Sequence, residues 1–107
     1  MLKHVPSEIR VGPTRYAIKR SPIPEGHNRW AETDHINHEI RFGVAAHPKQ
    51  MANTFWHELL HAIWENYGLH DLTADDERIV SSLAHGLVQV GQDLGIFPDE
   101  IKIEGEP

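Results

Sequence analysis

Hydrophobic and polar positions follow two different periods along this 107-residue chain. Up to about residue 46, apolar residues come in short alternating runs, a pattern typical of β-strands. The proline-rich segment 21–26 predicts a loop, and the segment 36–38, with polar Asn37 and His38, predicts a tight connection. We expect antiparallel pairing of the strands. The predicted strands are 9–11, 15–19, 29–35 and 39–44.

A helical period replaces this alternation after Pro48. Proline is tolerated in the first turn of a helix and glycine is favoured at its C-terminal cap, so Pro48 and Gly68 bracket a predicted helix over about 48–67. Apolar residues on one side of a helical wheel form its predicted core stripe. These residues are Ala52, Trp56, Leu59, Leu60, Ile63 and Tyr67.

A second helix is predicted over about 74–94. Thr73 with Asp76 resembles a capping box at its start, and Gly95 with Pro98 ends it. A short strand is predicted at 101–103. Together these elements predict a single α+β domain over residues 1–107. The predicted core stripe of the second helix is Ile79, Leu83, Leu87, Val90 and Leu94.

Composition narrows the chemistry open to this chain. It has no cysteine, which excludes disulfides, thiolate metal sites and cysteine nucleophiles, whereas nine histidines supply nitrogen ligands. No apolar run approaches the ~18 residues of a membrane span and no secretory signal is recognisable, so we predict a soluble cytoplasmic protein without a membrane partner. The net charge is -6, and the basic residues of the first half are scattered singly. Nucleic acid is therefore not expected as a partner.

The sequence His57-Glu58-Leu59-Leu60-His61 lies in the middle of the first predicted helix. Two histidines four positions apart stand one turn apart on the same face, so their imidazoles can converge on one zinc ion. On a helical wheel they lie off the apolar stripe, at about 0° and 40°, with Glu58 at about 100°. We therefore expect all three on a face turned toward a cleft or solvent. Glu58 is the predicted general base beside a zinc-activated water.

A catalytic zinc site normally has three protein ligands, so one must come from outside the motif. His70 lies just beyond the cap of the first helix, and an acidic run opens the second. Within that run, Asp76 has a competing role as a capping residue. Glu77 has the longer side chain and lies beside small residues, on a face that can approach the first helix closely. We predict Glu77 as the third ligand, with Asp76 and His70 as alternatives.

The motif and its surroundings resemble a known class of enzymes. The segment 57–63, followed by Gly68-Leu69 and then by 76–80 on a second helix, resembles minimal gluzincin-type zinc metallopeptidases. Small HExxH proteins of phages and prophages and relatives of the ImmA/IrrE-type peptidase domain share this arrangement. The resemblance covers roughly residues 39–94.

This resemblance implies a small zincin-like domain, with a sheet packed on the active-site helix, and the hydrolysis of a peptide bond. It implies Zn²⁺ bound by His57, His61 and Glu77, with Glu58 as the general base. It also implies that the strand 39–44 is an edge strand that holds an extended peptide or protein substrate by β-addition.

Some positions depart from the pattern of these peptidases or have no counterpart in it. Larger gluzincins carry an aspartate four residues beyond the ligand glutamate, where this chain has Ser81. His35 and His38 are interpreted as solvated loop histidines. The group that stabilises the transition state is left open. Its candidates are Tyr67, His70, Arg78 and His85.

Three functions fit these residues. The leading hypothesis is a zinc-dependent metallopeptidase. The first alternative is a non-catalytic module in which a structural zinc ion stabilises a small domain that binds a partner. The second is a zinc hydrolase of a non-peptide amide or ester. The sequence makes no prediction about the oligomeric state.

Overall fold

The computed structural model describes residues 2–23, 30–70, 72 and 75–106. They form an α+β fold, as predicted, and no helix among them is long and apolar enough to cross a membrane. The predicted loop positions 24–26, the strand start at Arg29 and the capping positions 73–74 lie outside the described residues. The elements are β1 (Leu2–Val5), β2 (Glu8–Val11), β3 (Thr14–Arg20), β4 (Ala31–Asp34), β5 (Glu39–Phe42), α1 (Pro48–Asn66), α2 (Asp76–Asp93) and β6 (Glu100–Ile103).

Four of the strands form a mixed sheet in the order β2-β3-β5-β4. The β2–β3 and β4–β5 pairs are antiparallel, whereas β3 and β5 are parallel, so the expectation of antiparallel pairing throughout is wrong. The physical reason is the path of the chain, which passes beyond β3 to form β4 and then returns β5 between them. A separate parallel pair joins β6, the strand predicted at 101–103, to β1, which was not predicted.

This strand order also corrects the predicted edge strand. The segment 39–44 contains β5, which is hydrogen-bonded to β3 on one side and to β4 on the other. A strand paired on both sides has no backbone groups left for an added peptide. In the described part of the chain, the outer strand on this side of the sheet is β4.

The turn between β4 and β5 confirms the tight connection predicted at 36–38. Asp34 ends β4, and its Oδ1 accepts hydrogen bonds from the backbone N–H groups of Ile36 and Asn37, both at 2.9 Å. The Asn37 side-chain amide donates to Asp34 Oδ2 at 2.9 Å. His38 then takes a left-handed conformation with φ 56°, which redirects the chain into β5.

Helix α1 has the predicted limits to within one residue. Pro48 occupies its first turn, and Gln50 Oε1 accepts a hydrogen bond from the His47 N–H at 2.8 Å. Gly68 follows the helix with φ 74°, the left-handed conformation in which glycine has no steric penalty. The Leu69 N–H then donates to the Trp64 carbonyl at 3.0 Å and closes the helix end.

The hydrophobic core lies between α1, the four-stranded sheet and β6. Because α1 is covered by the sheet and by β6, its burial does not follow a single stripe. Of the predicted stripe, Ala52 is fully buried, the next four residues are half-buried, and Tyr67 is 63% exposed. The largest fully buried side chains of the described residues include Tyr16, Ile40, Phe42, Met51 and Ile101.

Helix α2 is present, but the prediction of its core face is wrong. Four of the five predicted core residues are exposed, among them Leu87 at 46% and Leu94 at 68%. The residues that contact α1 are smaller and lie about 90° round the helix. Small side chains let the two helix axes approach closely, which leaves the larger leucines outside the contact. The buried residues of α2 are Val80, Ala84, Val88 and Gly91.

Candidate metal centre and its cleft

Helix α1 places the two motif histidines side by side. His57 and His61 lie one turn apart, and their Nε2 atoms are 3.1 Å from each other. Both side chains are half-buried, at 17% and 21% exposure. Burial lowers the pKa of His61, and its interaction with Glu77 opposes that effect. The pair therefore presents two imidazole nitrogens to a single point at the edge of the helix.

Glu77, at the start of α2, completes this group. Its Oε1 lies 3.1 Å from His57 Nε2, and its Oε2 lies 2.7 Å from His61 Nε2. The close packing of buried Val80 and Ala84 against α1 brings the first turn of α2 within reach of the histidines. In the described part of the chain, these are the three residues that converge as a potential metal-binding group.

The two alternative ligands lie elsewhere. His70 Nδ1 is 4.0 Å from Glu65 Oε2. Asp76 Oδ1 is buried and has no hydrogen-bond partner within the described residues. Neither belongs to the convergent group. The preference for Glu77 over both is therefore consistent with the geometry.

The donor set suits a zinc ion. Zinc is held by imidazole nitrogen and carboxylate oxygen at about 2.0–2.2 Å in tetrahedral geometry, which separates neighbouring ligand atoms by roughly 3.3 Å. The separations observed here are 2.7 to 3.1 Å, so small side-chain adjustments would open the group to that size. Two neutral imidazoles can share only one proton between facing nitrogens, whereas both lone pairs can bind one cation.

Ser81 supports the carboxylate of Glu77. One turn further along α2, its Oγ donates a hydrogen bond to Glu77 Oε1 at 3.1 Å. This is the position at which larger gluzincins carry an aspartate. Here the serine contacts the candidate ligand glutamate, so it orients Glu77 and not an imidazole.

Glu58 is more deeply buried than predicted. Its exposure is only 3%, although it lines the cleft beside the histidines. This corrects the expectation of an open position, because β4 covers the carboxyl group. Thr33 Oγ1 of that strand lies 2.8 Å from Glu58 Oε1 and 3.1 Å from the Glu58 carbonyl oxygen, either of which can accept its proton. Burial, with a weaker contribution from Glu77 and Glu32, raises the pKa of Glu58 to about 7 despite the Thr33 hydrogen bond.

A cleft of about 920 Å³ opens over this group, between β4, α1 and α2. Among the predicted candidates for a stabilising group, only His85 is found in its described lining, and its Nδ1 lies 2.9 Å from the Ser81 carbonyl oxygen. Tyr67 instead lines a separate apolar groove beside β2. The cleft is therefore bounded by one strand edge and two helices.

The chain was compared with protein-family models, with curated proteins and with solved structures. None of them matches. A function for the cleft is therefore inferred from its own residues and from the resemblance of the motif.

The sequence did not predict that Thr33 and His35 belong to the cleft. Thr33 bonds a carboxylate 25 residues away, and His35 lines the cleft although it was interpreted as a solvated histidine. Alternation along β4 offered a weak signal for Thr33, since Ala31 and Thr33 share a face and Ala31 is fully buried. Nothing near His35 in sequence indicated its partner, Tyr16.

Proposed function

We propose that this protein is a zinc-dependent hydrolase, and specifically a metallopeptidase. One observation carries the proposal: the Nε2 atoms of His57 and His61 lie 3.1 Å apart, and they contact the two carboxylate oxygens of Glu77 at 3.1 and 2.7 Å, beside a cleft that Glu58 also lines. Two histidines and a carboxylate with a neighbouring glutamate form the arrangement by which zinc hydrolases activate water.

His57, His61 and Glu77 would hold the metal. Zinc, when bound, lowers the pKa of a coordinated water to about 7 and polarises a carbonyl group. Glu58 accepts the proton of the attacking water and then returns it to the nitrogen of the leaving amine. Thr33 Oγ1 lies 2.8 Å from Glu58 Oε1, and Glu58 Oε2 is the oxygen that we assign to this proton transfer.

The outer strand supports a peptide as the substrate. Ala31, Glu32 and Thr33 of β4 line the cleft, and β4 is paired on its inner side with β5. An extended peptide can add to such an edge through backbone hydrogen bonds, and it would then lie along the cleft that the two histidines also line. This proposal moves the substrate strand from β5, where the sequence predicted it, to β4.

The deciding experiment is Glu58→Gln, with zinc binding measured by chelator competition and hydrolysis measured on fluorescently labelled casein. The variant should keep zinc and lose activity by ~10²–10⁴-fold, because glutamine cannot accept the proton. Glu65→Gln is the matched control, since Glu65 lies on the same helix and is 44% exposed. Its activity should equal that of the wild type.

The alternatives give different results in the same experiment. A wild-type protein that binds zinc but cleaves neither casein nor a panel of amides and esters is a non-catalytic zinc module. Cleavage restricted to small amides or esters favours the non-peptide hydrolase. Activity that survives in Glu58→Gln contradicts the mechanism. The cytoplasmic location stays a prediction from the sequence.

A further inference from the structure

A chain of hydrogen bonds runs from the core of the protein to the rim of the cleft. Tyr16 on β3 is 1% exposed, so its hydroxyl group needs partners inside the protein. Asn66 Nδ2, at the end of α1, lies 2.8 Å from that hydroxyl oxygen. His35 Nδ1, just after β4, lies 3.3 Å from it on the other side. The chain therefore ends on a histidine that lines the cleft.

The direction of each hydrogen bond follows from the partners of Asn66. Its Nδ2 lies 2.7 Å from the Ala62 carbonyl oxygen, which can only accept, so the amide nitrogen must face that way. Its Oδ1 accepts from Thr14 Oγ1 at 2.6 Å. The same NH₂ group donates to the Tyr16 oxygen. The proton of the buried Tyr16 hydroxyl group then needs an acceptor, and in the described part of the chain the acceptor within hydrogen-bond distance is His35 Nδ1, at 3.3 Å.

His35 therefore accepts at Nδ1, and a neutral imidazole that accepts at one nitrogen carries its hydrogen on the other. The Nε2–H group is therefore a hydrogen-bond donor. His35 is half-buried and lines the same cleft as His57, His61 and Glu58.

We propose that His35 is a catalytic residue whose Nε2–H donates a hydrogen bond to the carbonyl oxygen of the scissile peptide bond. Negative charge collects on that oxygen as water attacks, and a donor already fixed in place stabilises this charge more than it stabilises the substrate. The proton stays on His35 throughout. Tyr16 and Asn66 are positioning residues that hold the imidazole in this tautomer. The inference rests on the proposed peptidase function.

Activity measurements test the donor directly. His35→Ala should lower kcat for casein by ~10²–10³-fold, the usual effect of removing one oxyanion donor, while zinc affinity changes less than threefold. His35→Gln keeps an N–H donor at similar reach and should recover part of the loss. His38→Asn is the matched control. His38 also packs on the Tyr16 ring, at 5.9 Å between centroids, but it lies outside the described lining of the cleft.

The tautomer can be measured without any activity. Two-bond ¹H–¹⁵N spectra of the whole protein, metal-free and zinc-loaded, should give His35 as the Nε2–H form. Tyr16→Phe removes the donor to Nδ1, so the spectrum should become a mixture of tautomers and kcat should fall while zinc affinity stays the same. A merely structural role for Tyr16 would leave the His35 tautomer unchanged.

The outcomes separate this inference from the proposed function. An active wild type whose His35→Ala variant keeps kcat within twofold overturns the role of His35 alone. An Nδ1–H tautomer in the wild type also overturns it. A zinc-loaded wild type that cleaves no peptide, with Glu58→Gln indistinguishable from it, overturns the peptidase function and this inference together.

Discussion

Glu77 is a single residue on which the candidate metal centre depends, because it is the one group of the three that comes from α2. Its side chain is 69% exposed, so the fold gains little from it. Its contacts with both imidazoles place it in the group of three residues that could hold a metal ion. The sequence analysis predicts the same residue as the third ligand from its position on the helical wheel.

Glu77→Ala should weaken zinc binding by more than ~100-fold, since it removes a proposed direct ligand. Asp76→Ala should change zinc affinity far less, because Asp76 does not join the convergent group. Ser81→Ala removes only the hydrogen bond to Glu77 Oε1, so its loss should stay within ~10–100-fold. Chelator competition measures all three. Equal losses for Glu77→Ala and Asp76→Ala would rule out the assignment.

Asp34 gives the stability of the protein a specific dependence on pH. The Asn37 backbone N–H and side-chain amide, aided by Ile36 and Arg41, lower its pKa from 3.8 to about 2. A carboxylate with a lowered pKa stabilises the fold above its unfolded pKa, and this contribution is lost as the pH falls from about 4 toward 2. Asn mimics the protonated side chain.

Asp34→Asn should therefore lower the free energy of unfolding at pH 6, and its difference from the wild type should vanish near pH 2. Urea unfolding across this range, with the metal-free protein, measures the difference. A difference that stays constant with pH would contradict the role of the Asp34 charge. Glu8→Gln is a suitable control because Glu8 pairs with Arg15 at the surface, with side chains 55% and 69% exposed.

At the level of whole elements, the end of α2 is fixed by a close contact with Phe97. A Cβ atom added to Gly91 would lie 2.4 Å from the Phe97 ring, too close for the ring to stay in place. That ring stacks on Trp56 of α1, with centroids 4.4 Å apart and planes inclined by 12°. Gly91 thus lets α2 and the following segment dock beside the motif helix.

Gly91→Ala should destabilise the protein by ~1–3 kcal/mol, since the aromatic stack must move. Gly86→Ala, on the same helix with nothing within 4 Å, should instead stabilise it by ~0.5–1 kcal/mol through helix propensity. Thermal or urea unfolding measures both. Two variants that shift stability in the same direction would show that the Phe97 contact is not the cause.

The elements differ in how far the sequence predicts them. Local signals fix α1, because Pro48, the apolar spacing and Gly68 all act within the helix itself. The burial of α2 depends on its partner, and the small face around Ala84 contacts α1 although the leucines are more hydrophobic. No local pattern encodes the order of strands in a sheet. The position of β4 at the outer side was therefore not predictable.

At the scale of the whole molecule, some residues of the candidate site follow from local sequence signals and others depend on long-range packing. His57, Glu58 and His61 share one turn of helix, and Glu77 follows from the spacing of the next helix. Thr33 meets its partner across 25 residues and His35 across 19, so their roles appear only once the sheet and α1 are assembled. The candidate metal ligands can therefore be predicted from local periodicity. Thr33 and His35, which contact residues distant in sequence, cannot.

The parallel pair of β1 with β6 has a consequence for biosynthesis. It joins residues 2–5 to residues 100–103, and β6 also packs on α1. Contacts so distant in sequence cost the most loop-closure entropy. A ribosome synthesises the chain at only about 5–20 residues per second. While it is being translated, α1 lacks one of its packing surfaces until β6 has emerged. We therefore expect a nascent chain to carry the complete motif for seconds before α1 has all of its packing surfaces.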